Sequence, residues 1–235
     1  MSLAYWNGRL VPIEEVRIGV GEMLGDGLFE TLRVDEGQAA DVEAHLDRLF
    51  EGLPRVGIDP PEDREALAAA LLKVAAASPW PIARMRVAVT QETRLISLAL
   101  YTPPASPVSV VLLPEPWIWS RSPLAGLKSL SYQANRLALR RVAGVFEALL
   151  LNEHGHLVEG SRSNVILALP DGLFTPPLAD GCLPGTVRRR LLEKGEIAER
   201  SLTPGDLQAA SKVLLTNSLI GVLEVEQLGV APADA

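Results

Sequence analysis

Lysine is scarce in this chain: of 22 basic residues only four are lysines, Lys73, Lys128, Lys194 and Lys212, and the other eighteen are arginines. Arginine is the default cation, so a lysine at a special place calls for a reason. Cysteine is nearly absent. The single Cys182 excludes an internal disulfide framework and fits a reducing compartment. Basic runs are missing as well, and with a net charge of −7 and a pI near 5.1 nothing suits the gripping of a nucleic-acid backbone or an anionic membrane. A small-molecule substrate is the natural partner. No apolar stretch approaches the roughly 18 residues of a membrane span, and the opening Met1 to Gly8 lacks the charged and apolar regions of a signal peptide. The expectation is a soluble cytoplasmic protein. Repeats and low-complexity blocks are also lacking. What the chain does have is 48% hydrophobic content over 235 residues, enough to bury the core of one large domain or two modest ones.

Asn7-Gly8 between apolar residues is a type I′ hairpin signal, so the chain opens on strands. A glycine-flanked turn at Gly25-Asp26-Gly27 leads into an alternating β segment from Leu28 to Val34. Val42 to Leu53 has helical periodicity, with Leu46, Leu49, Phe50 and Leu53 on one face and Arg48 off it, in a place that suits a solvated side chain. Glu62 to Ala77 reads as a second helix that Pro81 prevents from continuing. Two strands follow, at 83–90 and 94–101, then a Pro-rich break and a strand from Val108 to Leu113. A second Pro-rich passage, Pro114 to Pro123, carries Trp117 and Trp119. Placing the boundary there predicts a smaller N-terminal domain, 1–116, and a C-terminal domain, 117–235, with a linker at its start.

After that passage comes Lys128, ahead of a helix expected over about 131–142. A lysine at a helix start feels the positive end of the macrodipole, which with partial burial favours the neutral amine of an imine-forming lysine. An ordinary surface lysine fits the same position. Further on, Glu159-Gly160-Ser161-Arg162-Ser163-Asn164 interrupts two apolar strand halves with polar residues, which either bulge to the surface or meet a polar ligand. Pro184-Gly185-Thr186-Val187 opens a helix whose first N–H groups can bind an anion. Thr216-Asn217-Ser218 ends a strand and offers a second set of donors. A lysine, a carboxylate and two anion cups are together what pyridoxal phosphate requires, for its aldehyde, its pyridine nitrogen and its phosphate.

Six blocks stand in the order of a known family: 25–32, Ala44-His45-Leu46-Asp47-Arg48-Leu49, Leu127-Lys128-Ser129-Leu130-Ser131-Tyr132, 159–164, Leu183-Pro184-Gly185-Thr186-Val187-Arg188 and 215–219. They resemble the fold-type-IV pyridoxal-phosphate enzymes, the class IV aminotransferase family, over nearly the whole chain. The resemblance implies an α+β, two-domain enzyme with a barrel-like C-terminal domain, acting as a homodimer. It implies that Lys128 is the cofactor-bearing catalytic lysine and Glu159 the partner of the pyridine nitrogen. Arg48, Gly185, Thr186, Val187, Asn217 and Ser218 would serve the phosphate, with Tyr132, Ser163 and Asn164 also at the cofactor. Phe29, Thr31, Arg86 and Arg94 would face the substrate, and no metal is called for.

Within the family the chain is most similar to aminodeoxychorismate lyases, which make 4-aminobenzoate for folate synthesis. An aminotransferase of branched-chain or D-amino acids is the alternative, and a non-catalytic binding protein on the same fold is the alternative of another class. One departure bears on the choice. Relatives carry Thr-Arg-Gly and a Gly-rich loop after the Arg86 strand, where this chain has the shorter Thr90-Gln91-Glu92-Thr93-Arg94.

Overall fold

In a computed structural model the structure describes residues 3–59 and 63–232. They form two compact units. The first runs up to Pro103 and adds Leu127–Tyr132; the second comprises Pro104–Gly126 and everything from Gln133 onward.

The first unit opens on β1 (Leu3–Trp6) and β2 (Arg9–Pro12), an antiparallel hairpin turned through Asn7 and Gly8, both at positive φ as a type I′ turn requires. There follow α1 (Val20–Leu24), β3 (Leu28–Asp35), β4 (Gln38–Ala39), α2 (Val42–Gly52), α3 (Arg64–Ala76), β5 (Ile82–Val89) and β6 (Arg94–Leu100). Asp63 caps α3 by accepting the Ala66 N–H; the expected start at Glu62 lies outside the described residues. The strands form one antiparallel sheet in the order β2-β1-β6-β5-β3-β4. Alternation decides its faces. Leu28, Leu32 and Val34 of β3 and Met85 and Val87 of β5 point to the side where Leu46, Leu49 and Leu53 of α2 and Leu67, Leu71 and Val74 of α3 close the core.

The second unit contains β7 (Val108–Ile118), α4 (Gln133–Arg141), β8 (Glu147–Asn152), β9 (Leu157–Gly160), β10 (Asn164–Leu169), β11 (Gly172–Thr175), α5 (Thr186–Glu193), β12 (Ala198–Glu199), α6 (Pro204–Ala209), β13 (Lys212–Asn217) and β14 (Gly221–Val230). They build an eight-stranded sheet in the order β12-β11-β10-β13-β14-β7-β8-β9, with β7 parallel to both of its neighbours. Of the two sheets among the described residues one curls into a half-barrel, and the architecture is mixed α+β.

The division between units falls before β7, earlier than a boundary at 116/117. The Pro-rich passage misleads because β7 runs through Pro114 and Pro116, at the places where its register against β8 shifts. Prolines are tolerated at such bulges. Trp117 packs on the cluster that contains Leu113, Val142 and Leu150, while Trp119 is exposed. Among the described residues no helix is long and apolar enough to cross a membrane.

The cavity rule for large-to-small substitutions applies directly at the centre of the first unit. Leu71→Ala, at a side chain with no exposure, is expected to cost about 2–5 kcal/mol. Urea unfolding followed by the fluorescence of Trp80, which packs on the same cluster, measures it.

Candidate functional site

Lys128 does not sit at a helix start. It lies on an extended segment beside β3: Phe29 N donates to Lys128 O at 2.9 Å, Leu130 N donates to Gly27 O at 2.8 Å, and Leu28 and Ser129 form a bridge. Helix α4 begins only at Gln133, so the macrodipole argument does not reach this lysine. Backbone pairing is what places it. Gly27 is required where the chain enters β3, since a Cβ there would lie 2.5 Å from the Val89 carbonyl oxygen as well as 2.8 Å from the Leu130 side chain.

Half-buried Lys128 carries its Nζ 4.7 Å from the centroid of the Phe29 ring and 6.0 Å from that of Tyr132, and the two rings meet edge to face at 5.5 Å. The Arg86 guanidinium lies 3.9 Å over Phe29. Register explains the grouping. Phe29 pairs with Ala88 and Thr31 with Arg86, so Phe29, Thr31 and Arg86 share one face of the sheet. Arg94 stands opposite Val89, which stands opposite Leu28, and this puts Arg94 on the face that carries the helices. Lys128, Tyr132, Phe29, Thr31 and Arg86 are therefore brought together, and Arg94 is not among them. The short loop before it is a tight turn in which Thr90 N donates to Thr93 O at 2.9 Å and Thr90 Oγ1 accepts the Thr93 N–H at 3.0 Å.

Arg48 is not a solvated helix residue. Its Nε and Nη2 donate to the two oxygens of Glu30 at 2.7 and 2.6 Å, and His45 Nδ1 meets the same carboxylate at 2.7 Å. Burial pushes the Glu30 carboxyl up, but the Arg48 charge and hydrogen bonds, joined by those of His45, more than offset this and hold it at about 2. The fork-to-fork geometry fixes the plane of the guanidinium.

In the second unit the polar interruption is a tight turn from Gly160 to Ser163. On its two sides Glu159 and Asn164 grip one residue: Glu159 Oε2 accepts the Leu183 N–H at 2.9 Å, and Asn164 Nδ2 donates to Leu183 O at 2.8 Å. Two residues on, Gly185 is the N-cap of α5, which has no side-chain cap and no acidic residue in its first turn. A Cβ at Gly185 would run into Asn164 Oδ1, so this crossing requires glycine. Thr186 and Val187 follow, both buried. Asn217 turns its side chain inward, giving Nδ2 to Arg162 O at 3.1 Å and accepting the Leu219 and Ile220 N–H groups at 2.9 and 3.1 Å, which shapes the turn that contains Ser218. Ser163 donates its hydroxyl to Glu147 at 2.9 Å. Cys182 is no nucleophile, because burial and the nearby Glu159 charge push its thiol up to about 12.

This donor set fits pyridoxal phosphate. An uncapped helix start has N–H groups for a phosphate, and the Thr216 hydroxyl, 1% exposed, finds no hydrogen-bond partner among the described residues. A carboxylate suited to a protonated ring nitrogen stands in the same unit. Further residues, which sequence reasoning passed over, orient these groups within each unit: Glu30 and His45 meet Arg48 or its carboxylate partner in the first, and Asn135 and Glu147 hold the Gly160–Ser163 turn in the second. A charged residue inside an apolar strand, as in Phe146-Glu147-Ala148-Leu149-Leu150-Leu151, is the signal that singles out Glu147.

The family model for amino-transferase class IV matches residues 27–228. The chain belongs to the class IV aminotransferases. Members of this class use pyridoxal phosphate as cofactor. A relative from Methanocaldococcus jannaschii, provisionally named a branched-chain-amino-acid aminotransferase, is 28% identical over 95% of this chain and 87% of its own. The bifunctional aminodeoxychorismate lyase / D-amino acid transaminase of Mycobacterium tuberculosis is 29% identical over 87% of this chain and 82% of its own. Among solved structures, the 4-amino-4-deoxychorismate lyase of Pseudomonas aeruginosa is 31% identical, with a TM-score of 0.80 over 99% of this chain and 94% of that one. The class IV chemistry of this chain is thus shared between lyases and aminotransferases.

Glu30 supplies a test of the buried pair. Its folded pKa is depressed from 4.5 to about 2, so its contribution to stability is complete above the unfolded value and is lost as the pH falls from about 4.5 through 2. Glu30→Gln, which leaves Arg48 and His45 without their carboxylate, is expected to cost about 3–5 kcal/mol at neutral pH. It should also flatten that acid limb in a series of denaturant melts from pH 2 to 7.

Proposed function

We propose that the protein is a pyridoxal-phosphate-dependent 4-amino-4-deoxychorismate lyase. The observation that carries this reading is the meeting of the Lys128 amine and the Arg86 guanidinium on one Phe29 ring, which sets a cation for a carboxylate close to a reactive amine. The 31% identity to the Pseudomonas aeruginosa lyase across nearly both chains supports it.

Pyridoxal phosphate, when bound, supplies an electron sink to the carbon that bears the substrate's amine. In this reading Lys128 would hold the cofactor by its aldehyde, and its amine would take the proton from C4 of the substrate. The electrons leave through the C3–O bond with enolpyruvate, which takes up a proton to become pyruvate, and the ring is left aromatic as 4-aminobenzoate. Glu159 holds the proton on the pyridine nitrogen. Gly185, Thr186 and Val187, with the Ser218 turn shaped by Asn217, receive the phosphate, and Arg48, oriented by Glu30, joins them. Tyr132 stands beside the ring, Asn164 and Ser163 hold the frame around Glu159, and Arg86 with Phe29 and Thr31 takes a substrate carboxylate. A homodimer is part of the same reading, supported by Val20, Met23 and Leu24, which are 61%, 76% and 73% exposed, and so is a cytoplasmic location.

A second reading, an amino acid aminotransferase, is favoured by the Methanocaldococcus jannaschii relative and needs the same cofactor machinery. Two parallel assays separate them. The lyase is expected to release 4-aminobenzoate and pyruvate from aminodeoxychorismate with no added 2-oxo acid, whereas glutamate formation from an amino acid plus 2-oxoglutarate supports the transaminase. Lys128→Ala should lower either activity by about a thousandfold or more and remove the visible absorbance band of the bound cofactor. Retention of that band would overturn the role of Lys128.

A further inference from the structure

Glu147 lies on β8 with no exposure, in a strand whose other side chains are almost all apolar. A carboxylate in such a place is costly unless donors surround it. Here they converge from the next element but one: Oε1 accepts the Ser161 hydroxyl and the Ala148 N–H at 3.1 Å, Oε2 accepts the Ser163 hydroxyl at 2.9 Å, and Arg162 Nε stands 3.7 Å away. Three successive side chains of one turn are thus directed at one buried carboxyl. Gly160 lets the carboxyl lie beneath the turn, since a Cβ there would come within 2.7 and 2.9 Å of Glu147 Cγ and Cδ.

The outer side of the turn is tied as well. Asn135 of α4 donates to Ser161 O at 3.0 Å, Asn217 donates to Arg162 O at 3.1 Å, and Gly160 N closes the turn on Ser163 O at 2.7 Å. The residues just outside it are Glu159 and Asn164, the pair that grips the Leu183 peptide ahead of α5. Opening the turn would separate that pair and release Leu183, and with it the loop that carries Gly185. Glu147 touches neither Glu159 nor Leu183 through any of these bonds, so its influence passes through the turn.

We infer that Glu147 is a positioning residue: its carboxylate shapes the Gly160–Ser163 turn and thereby sets Glu159 and the Leu183–Val187 segment for the cofactor at the same time. The inference rests on the reading of Glu159 as the pyridine-nitrogen partner. Burial raises the Glu147 carboxyl above its ordinary range, the Ser161, Arg162, Ser163 and Ala148 groups drawing it only partly back. The turn is therefore held by a carboxyl that burial opposes and that two hydroxyls, a backbone N–H and the Arg162 charge together answer.

Glu147→Gln preserves size but removes the negative charge that Arg162 faces and puts an amide N–H where an oxygen accepts, so a serine hydroxyl of the turn has to swing from donating to accepting. The full-length protein, stripped and reloaded with pyridoxal phosphate, is expected to bind it about tenfold more weakly or worse. The pH at which the visible band titrates should shift, and amide exchange at Ser161 and Leu183 in the cofactor-free protein should quicken. Ser161→Ala and Ser163→Ala, each of which removes one hydroxyl and leaves the carboxylate, should reproduce part of the loss and serve if Glu147→Gln does not fold. Unchanged affinity, titration and exchange in the folded variants would overturn the inference. Glu159→Gln is the reference: if it leaves the band titration unmoved, the role of Glu159 falls and this inference falls with it, whereas a shift there with none in Glu147→Gln removes only the role of Glu147.

Discussion

A carboxylate removed from water has to be answered by donors, and each unit of this protein is arranged around one such demand. In the first unit Glu30 is answered by two cationic or ionisable partners, Arg48 and His45, and its carboxyl is held at about 2. In the second unit Glu147 is answered mainly by hydroxyls and a backbone N–H, and burial keeps its carboxyl raised. Arg48 meets Glu30 in a bidentate contact at 2.7 and 2.6 Å, whereas Arg162 stands 3.7 Å from Glu147, and a charge held at hydrogen-bond distance offsets burial where a more distant one does not, so the two shifts have opposite signs. In both cases the donors are residues next to the functional groups, so satisfying the buried charge also orients the site.

Side-chain chemistry at the site follows from this division of labour. The family resemblance sets Ser163, Asn164 and Asn217 near the cofactor, and in the fold they bond Glu147, the Leu183 carbonyl and the Arg162 carbonyl. In the second unit the start of α5 has no side-chain cap, and the Thr216 hydroxyl has no hydrogen-bond partner among the described residues. A phosphate bound by backbone dipoles and a pyridine ring bound by one carboxylate need few dedicated side chains. Precision then comes from the frame behind them, where a shift of one peptide at Leu183 moves both ends of the arrangement. The two backbone groups of that residue are held by side chains five positions apart across the turn.

In the proposed reading, selectivity belongs to the other face of the first sheet. Pleat alternation places Phe29, Thr31 and Arg86 side by side and sends Arg94 to the helix side. The short turn from Thr90 to Thr93 is closed by its own hydrogen bonds and by Asn7, which accepts the Arg94 N–H at 2.8 Å. A cation over an aromatic ring, with a lysine amine on the same ring, is a compact way to hold a carboxylate near the bond that reacts. Like charges kept close on a ring face also favour the arrival of an anionic group between them.

Much of the organisation was legible in residue order. Asn7-Gly8 determined a hairpin because only a few residues adopt two successive positive φ values, and the apolar spacing of Val42 to Leu53 determined a helix because the 3.6-residue period admits little else. The six motif blocks determined the family and its cofactor. Three things were decided only by the tertiary structure. The prolines at 114 and 116 suggested a linker, but β7 accepts them at register shifts against β8, a property of the partner strand and not of the prolines. The scarcity of lysine singles out Lys128 in the sequence, but its place is decided by backbone pairing with β3, between residues about a hundred positions apart, and not by a helix dipole. The partners of Glu30 and Glu147 were likewise out of reach, because a charge inside an apolar run says that donors must be near without saying which distant segments bring them. Local spacing carries periodicity and turn chemistry; the satisfaction of buried polar groups is a property of the folded chain.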